Sequence, residues 1–308
     1  MKHIYFSIFC LFCLFGNSQE MPIPFASDIT SEFPNVRDIA ISPNGNEMMF
    51  TAQSVMGNLS VIISVTKENN IWNKPQVASF SGMHFDLEPF FSHDGLKLYF
   101  VSTRPLNQIE TQPKDFDIWY VERANLKAPW STPKNLGSPI NTEHGEFYPS
   151  IANNGNFYFT RDDTTKNRKD DIYVSKLLNG TYQEPEALPE TINTESYEYN
   201  AFIAPDESYL LFGGYNRKDG LGSGDIYISR LTKNGWEQAE NLGPNINSDK
   251  MDYCPFVKDN TLYFTSKRDH TKVDHKQPLN LETLLREFNK ADNGSSRLFK
   301  IKTVTFAE

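Results

Sequence analysis

The sequence has 308 residues and a formal net charge of −9. That acidity, with no basic cluster to offset it, argues against binding to nucleic acid or to an anionic membrane surface. Of the three cysteines, Cys10 and Cys13 fall in the first fifteen residues, so the rest of the chain has only Cys254 and can form neither an internal disulfide nor a cysteine zinc site.

The chain opens with Met1-Lys2-His3, an apolar run from Ile4 to Phe15, and the small residues Gly16 and Ser18. A charged start, a short apolar core and small residues before a Ser18/Gln19 cut predict a secretory signal peptide over 1–18 and a periplasmic or secreted protein. The run is too short to span a bilayer. It also lacks the amphipathic period and the cap of a buried first helix. Bulky Phe9 and Phe12 precede the two cysteines where a lipid-attachment cysteine follows a small residue, so no lipoprotein is expected. Residues 19–308, roughly 290 in all, suit one β domain.

From Ile39 onward one unit recurs. Its clearest form is the third copy: Glu146 to Pro149, an Asn154-Gly155 turn, the aromatic run Phe157 to Thr160, a polar loop, then Asp171 to Ser175. That reads as a strand, a tight turn with the φ > 0 positions a hairpin requires, a second strand and a third. Copy one has Ser42 to Gly45, Met48 to Thr51 and Val61 to Ser64. Copy two has Ser92 to Gly95, Leu98 to Ser102 and Asp117 to Tyr120, and copy four has Ala204 to Glu207, Tyr209 to Phe212 and Asp225 to Ser229. Copy five has Asp252 to Pro255, Asp259-Asn260, Leu262 to Ser266 and, after an insertion, Leu298 to Ile301. With Ile39, Pro89, Pro149, Ala201 and Pro255 as equivalent anchors, the spacings by subtraction are 50, 60, 52 and 54. A period of this size marks a solenoid, an array or a propeller.

A fourth segment follows each of the first four copies: Trp72 to Pro75, Trp130 to Pro133, Tyr182 to Pro185 and Trp236 to Ala239. Proline has no N–H for a ladder, which predicts edge strands that also resist sheet-to-sheet association. Four strands per copy is the anatomy of a propeller blade. The linkers repeat as well, in Ile140 to Glu143, Ile192 to Glu195 and Ile246 to Asp249, and Pro24 to Glu32 is a degenerate form of the same linker and outer strand. The last copy stops after its third strand. The N-terminal segment is therefore predicted to supply the missing outer strand and close an all-β, five-bladed β-propeller.

The insertion at 269–297 carries Leu281, Leu284, Leu285 and Phe288 on one predicted helical face, with Asn280 as N-cap and Asn293-Gly294 as stop signal. It reads either as a helix packed on the rim or as a lid or docking element.

Three residues before the anchors stand Asp86, Glu146, Glu198 and Asp252, with Val36 in copy one. Two readings are open for these acids. They converge on the channel mouth, where mutual repulsion favours a basic partner group or a bound Ca²⁺, or each makes a repeated structural bond, as with Arg104, Arg217 or Arg268. Asp117, Asp171 and Asp225 start strands beside loops whose backbone donors need acceptors, a structural role. No paired histidine spacing, phosphate loop or nucleophile elbow is present.

The pattern of Pro89, Asp94-Gly95, Ser102-Thr-Arg104 and Asp117-Ile-Trp119, with Ser266-Lys-Arg268 in copy five, resembles the WD40-like β-propeller repeat of TolB-like bacterial envelope proteins, in the form found in Bacteroidetes. The resemblance covers nearly the whole chain beyond residue 18. It implies an exported, non-catalytic, monomeric binding scaffold whose partner is an envelope protein or a glycan. Six blades are common in that family and are the alternative here, although this chain is too short for a sixth copy and has no α/β domain of the TolB kind. Copy one lacks the repeat's aspartate and arginine, and copy five has Ser296-Arg297 in place of the aspartate. The competing function is a glycosidase or sialidase-like enzyme with channel carboxylates. Its catalytic acids would sit at different depths in different blades, whereas these recur in one frame, and the turns do not match sialidase repeats.

Overall fold

The computed structural model describes residues 21–107, 113–165, 170–302 and 306. The predicted signal segment 1–18 lies outside the described residues.

The repeat folds through its turns. In Ser92 to Gly95 the Asp94 Oδ1 accepts from Ser92 Oγ at 2.6 Å and from Leu96 N at 2.9 Å, while Gly95 takes φ +69° and donates its N–H to Ser92 O. Ser42 to Gly45 repeats this with Asn44 as the acceptor. Copy five needs no glycine, because Asp259 and Asn260 both adopt positive φ, as a two-residue type I′ turn requires.

Each turn joins two antiparallel strands and a third follows, giving inner to outer Asn35–Ile41, Glu47–Gln53 and Ser60–Glu68 in blade I, and Asp86–Phe91, Lys97–Ser102 and Asp117–Glu122 in blade II. Blade III has Gly145–Ile151, Phe157–Asp162 and Asp170–Ser175, blade IV Tyr197–Ile203, Tyr209–Tyr215 and Gly224–Thr232, and blade V Asp252–Lys258, Thr261–Ser266 and Arg297–Lys302. The outermost strands are two-residue pieces, Gln76–Val77, Lys134–Asn135, Glu186–Ala187 and Glu240–Asn241. In blades I to III they begin just after the proline rather than containing it: Trp72 and Tyr182 belong to a separate short hairpin, and the proline's missing N–H divides the two.

The fifth outer strand is Ile23–Pro24, paired Ile23↔Lys300 and Pro24↔Phe299, with Phe25 N donating to Leu298 O at 2.9 Å. The chain's two ends thus meet in one sheet and close a five-bladed propeller.

Phe50, Phe100, Phe159, Phe212 and Phe264 occupy one register position in the middle strands and are fully buried. Middle strands are covered on both faces by neighbouring blades, which is why these runs are apolar throughout rather than alternating.

The inserted helix spans Leu281–Phe288, with Thr283 N donating to the Asn280 side chain at 2.8 Å as the cap predicts. It ends at Asn289, short of Asn293-Gly294. Its apolar face does not pack on the rim: Leu281 is 70% and Phe288 60% exposed, and the residue it buries is Glu287. No helix among the described residues is long and apolar enough to cross a membrane.

Candidate functional site

The four repeated acids are each placed inside one blade and fully buried. Asp86 pairs with Arg104 at 2.7 Å, Glu146 with Arg161 at 3.1 Å, Glu198 with Arg217 at 3.6 Å and Asp252 with Arg268 at 3.0 Å. The preceding linker supplies the other donors: Thr142 N and Oγ1 to Glu146, Thr194 N and Oγ1 to Glu198, Ser248 N and Oγ to Asp252, and Ser81 Oγ to Asp86. Arg104 and Arg268 also donate Nε to Ser102 and Ser266 and NH2 to the linker carbonyls of Phe80 and Ile246, and each guanidinium lies over two aromatic rings. That is the physical content of the Ser-x-Arg motif. A linker asparagine completes the fastening, since Asn141, Asn193 and Asn247 bond both the N–H and the C=O of Ile118, Ile172 and Ile226.

The structure therefore does not gather Asp86, Glu146, Glu198 and Asp252 at a mouth, and among the described residues no group of three or more His, Cys, Asp or Glu is arranged to hold a metal ion. Each acid instead has an arginine of its own blade as counter-charge. Asp117 and Asp225 are likewise structural, the latter accepting from Leu221 N and Gly222 N and from Asn241.

The residues that do meet on the axis stand two positions further along. Asp38, Glu88, Tyr148, Asn200 and Cys254, each just before its anchor, all have φ between 52° and 58°, and the register of every innermost strand slips there. A non-glycine residue in this conformation costs roughly 1–2 kcal/mol, and a bulge re-aims the side chain. Repeated five times, it turns five polar side chains to the centre, where they are buried. Arg37 donates to Asp38 Oδ1 at 2.6 Å and to Glu88 Oε1 at 2.8 Å. Asn200 Nδ2 donates to Glu88 Oε1 at 3.0 Å, and the Cys254 thiol lies 2.7 Å from Asp38 Oδ1. Tyr148 Oη donates across the ring to Pro255 O at 3.0 Å.

Neighbouring blades hold the bulges in place. Glu88 N, Asn200 N and Asp38 N donate to Thr51, Thr160 and Thr265 of the preceding blade. Val101 stands in that place before Tyr148 and offers no acceptor, so Tyr148 N donates to Glu88 Oε2 at 2.7 Å instead. Burial holds the Glu88 carboxyl above the usual range, with Arg37 opposing. Burial pushes the Cys254 thiol well up, which makes it an unreactive packing residue.

Above this plug sits a cavity of about 510 Å³, within the range of small-ligand sites. Its floor is Arg37, Glu88 and Asn200, its walls Phe147, Tyr197, Tyr199, Tyr215 and Tyr253, and Asp162 and Asp170 stand at one side. Tyr197 and Tyr215 face each other across their strands, edge to face at 6.0 Å. None of the four repeated acids lines it.

No family model matches this sequence, and no curated protein matches it. Solved structures similar to it include TolB from Acinetobacter baumannii, at 13% identity and a TM-score of 0.43, with 75% of this chain and 51% of TolB covered. The chain thus spans about half the length of that protein. The catalytic domain of the Coprinopsis cinerea GH62 α-L-arabinofuranosidase matches at 10% identity and a TM-score of 0.49, covering 92% of this chain and 94% of that one. The α-L-arabinofuranosidase from Lactobacillus brevis matches at 12% and 0.48, covering 88% and 93%. None of these values extends to function.

Proposed function

We propose that this protein is a non-catalytic binding propeller of the cell envelope that takes a glycan, or an exposed group of another envelope protein, in its axial pocket. The observation that carries the reading is the composition of that pocket, four tyrosines and a phenylalanine around a floor of Arg37, Glu88 and Asn200. Tyrosine offers a flat apolar face with a polar tip, which suits a sugar ring. The floor is committed to holding the blades together: both Glu88 oxygens already accept bonds, from Arg37, Asn200 and Tyr148 N. The envelope address rests on the signal-like first eighteen residues. Titration calorimetry against a panel of oligosaccharides tests the reading, with Tyr197→Ala and Tyr215→Ala, both partly exposed in the pocket, expected to lose at least about tenfold in affinity while the melting temperature holds. Binding indifferent to both substitutions would overturn it.

A second reading has one observation in its favour. Glu88 of blade II and Asp162 of blade III line the same cavity. The Glu88 carboxyl is held above the usual range, and Asp162 Oδ1 is buried with no hydrogen-bond partner among the described residues. A glycosidase needs one acid of raised pKa and a second carboxylate. Release of reducing sugar by the wild type, abolished in Asp162→Asn with ligand affinity retained, is the result that would favour it over the binding module.

A further inference from the structure

A second cavity of about 680 Å³ lies beside the axial pocket at the junction of blades I and V, and the two share Arg37, Met251 and Tyr253 in their linings. Their charges differ. Glu88, Asp162 and Asp170 stand in the axial pocket, whereas the charged side chains of the side cavity are Arg37, Lys267 and Arg297, with no carboxylate in its lining.

Arg37 is already matched by Asp38 and Glu88. Among the described residues Lys267 and Arg297 have no acidic partner, and Arg297 donates only to the carbonyls of Pro34 and Ser296. Burial without a counter-charge lowers the Arg297 pKa. A guanidinium partly removed from water and facing no carboxylate favours an incoming anion. The wall that presents it is Gly294 to Arg297, the end of the insertion, fixed to blade I by Ser296 N to Asn35 Oδ1 and Val36 N to Ser296 O. The inserted segment thus supplies the wall that carries Arg297 into this cavity.

We propose that the side cavity is an anion subsite and that the ligand is an acidic glycan, with one sugar ring against the tyrosines of the axial pocket and a neighbouring carboxylate or sulfate on Arg297 and Lys267. This rests on the binding reading above. A peptide fits less well, because the N–H groups of Gly294, Ser295 and Ser296 already donate to Arg268 O, Asn293 Oδ1 and Asn35 Oδ1, leaving an extended main chain no donors on that wall.

The test is calorimetry of the full chain with oligogalacturonate, oligomannuronate and a sulfated heparin hexasaccharide, each beside a carboxyl-reduced or desulfated form, and with tetraglutamate. At least one acidic oligosaccharide should bind at least about tenfold tighter than its neutral form. Arg297→Gln and the exposed Lys267→Gln should each bring it toward the neutral value, leaving neutral binding unchanged. Equal binding of acidic and neutral forms, or Lys267→Gln and Arg297→Gln without effect, overturns the anion subsite and spares the binding module. Failure of every oligosaccharide overturns the subsite together with the glycan reading of the axial pocket, and tetraglutamate bound tighter than any of them overturns the glycan as the ligand here.

Discussion

Asn200 of blade IV donates its side-chain amide to Glu88 of blade II across 112 residues of sequence, at 3.0 Å. With Arg37 of blade I and the Tyr148 N–H of blade III on the same carboxylate, one side chain ties four blades, and Cys254 beside Asp38 and Asn200 brings in the fifth. Removing one partner of a buried charged pair leaves the others unmatched, at about 3–5 kcal/mol. Glu88→Ala should therefore lower unfolding stability by that order. Glu88→Gln keeps the shape and an acceptor and should cost less. Urea denaturation of the two variants checks the ranking, and equal losses would deny the carboxylate its part.

The same reasoning applies to the fastening of each blade to its linker. Arg104→Ala strands the fully buried Asp86 and should cost about 3–5 kcal/mol. The double variant Arg104→Ala with Asp86→Asn should recover part of that loss, because no unpaired charge is left. A double-mutant cycle by denaturation reads the coupling; additive losses would mean that the two residues act independently.

The repeat, the count of blades and the meeting of residues near the two ends could all be read from the sequence, because each follows from local turn chemistry and a fixed period, whereas the outermost strands start just after the proline-ending segments expected to form them. The arginine partners were legible at Arg104, Arg217 and Arg268, whereas Arg161 breaks the frame: it stands directly opposite Glu146, where Ser102 stands opposite Asp86, two positions before the place of Arg104. The axis was misplaced by two residues. Alternation along an unbroken strand sends the acid three before the anchor and the residue one before it to the same face, and the bulge reverses the second of them. The signal available was the run Asp38, Glu88, Tyr148, Asn200 and Cys254, polar side chains or a thiol at a single repeated position beside an apolar anchor. The helix misled for another reason: its apolar period is real, but periodicity says nothing about what covers a face, and Leu281 and Phe288 face outward.

Closure of the ring has a covalent test. Ile23 and Lys300 stand directly opposite in an antiparallel pair, where Cα atoms are about 4.5–5.5 Å apart, inside the range a disulfide spans. Ile23→Cys with Lys300→Cys, made in residues 19–308 so that Cys10 and Cys13 are absent, should cross-link on oxidation, since the native Cys254 is buried and does not compete. Joining the chain ends removes entropy from the unfolded state, and the oxidised protein should be more stable than the reduced one by about 2–4 kcal/mol. A non-reducing gel and a melting curve with and without reductant provide the readings, and two free thiols in the folded protein would place residues 23 and 300 apart.

Glu146 gives the fold a pH dependence of definite sign. Burial raises its carboxyl from 4.5 to about 7, against the hydrogen bonds from Thr142 and the charge of Arg161, which pull it down; Glu198 shifts in the same direction for the same reason. Between those two values the folded protein holds a proton that the unfolded chain has released. Folding then takes up protons, so this contribution to stability is complete below about 4.5 and is lost as the pH rises through about 7. Melting temperatures taken from about pH 4.5 to about pH 8 should fall across that window. Glu146→Gln has no proton to lose and still offers an acceptor to Thr142 N, so its curve should be flatter even if its absolute stability is lower. Parallel curves for the two proteins would move the titration to another group.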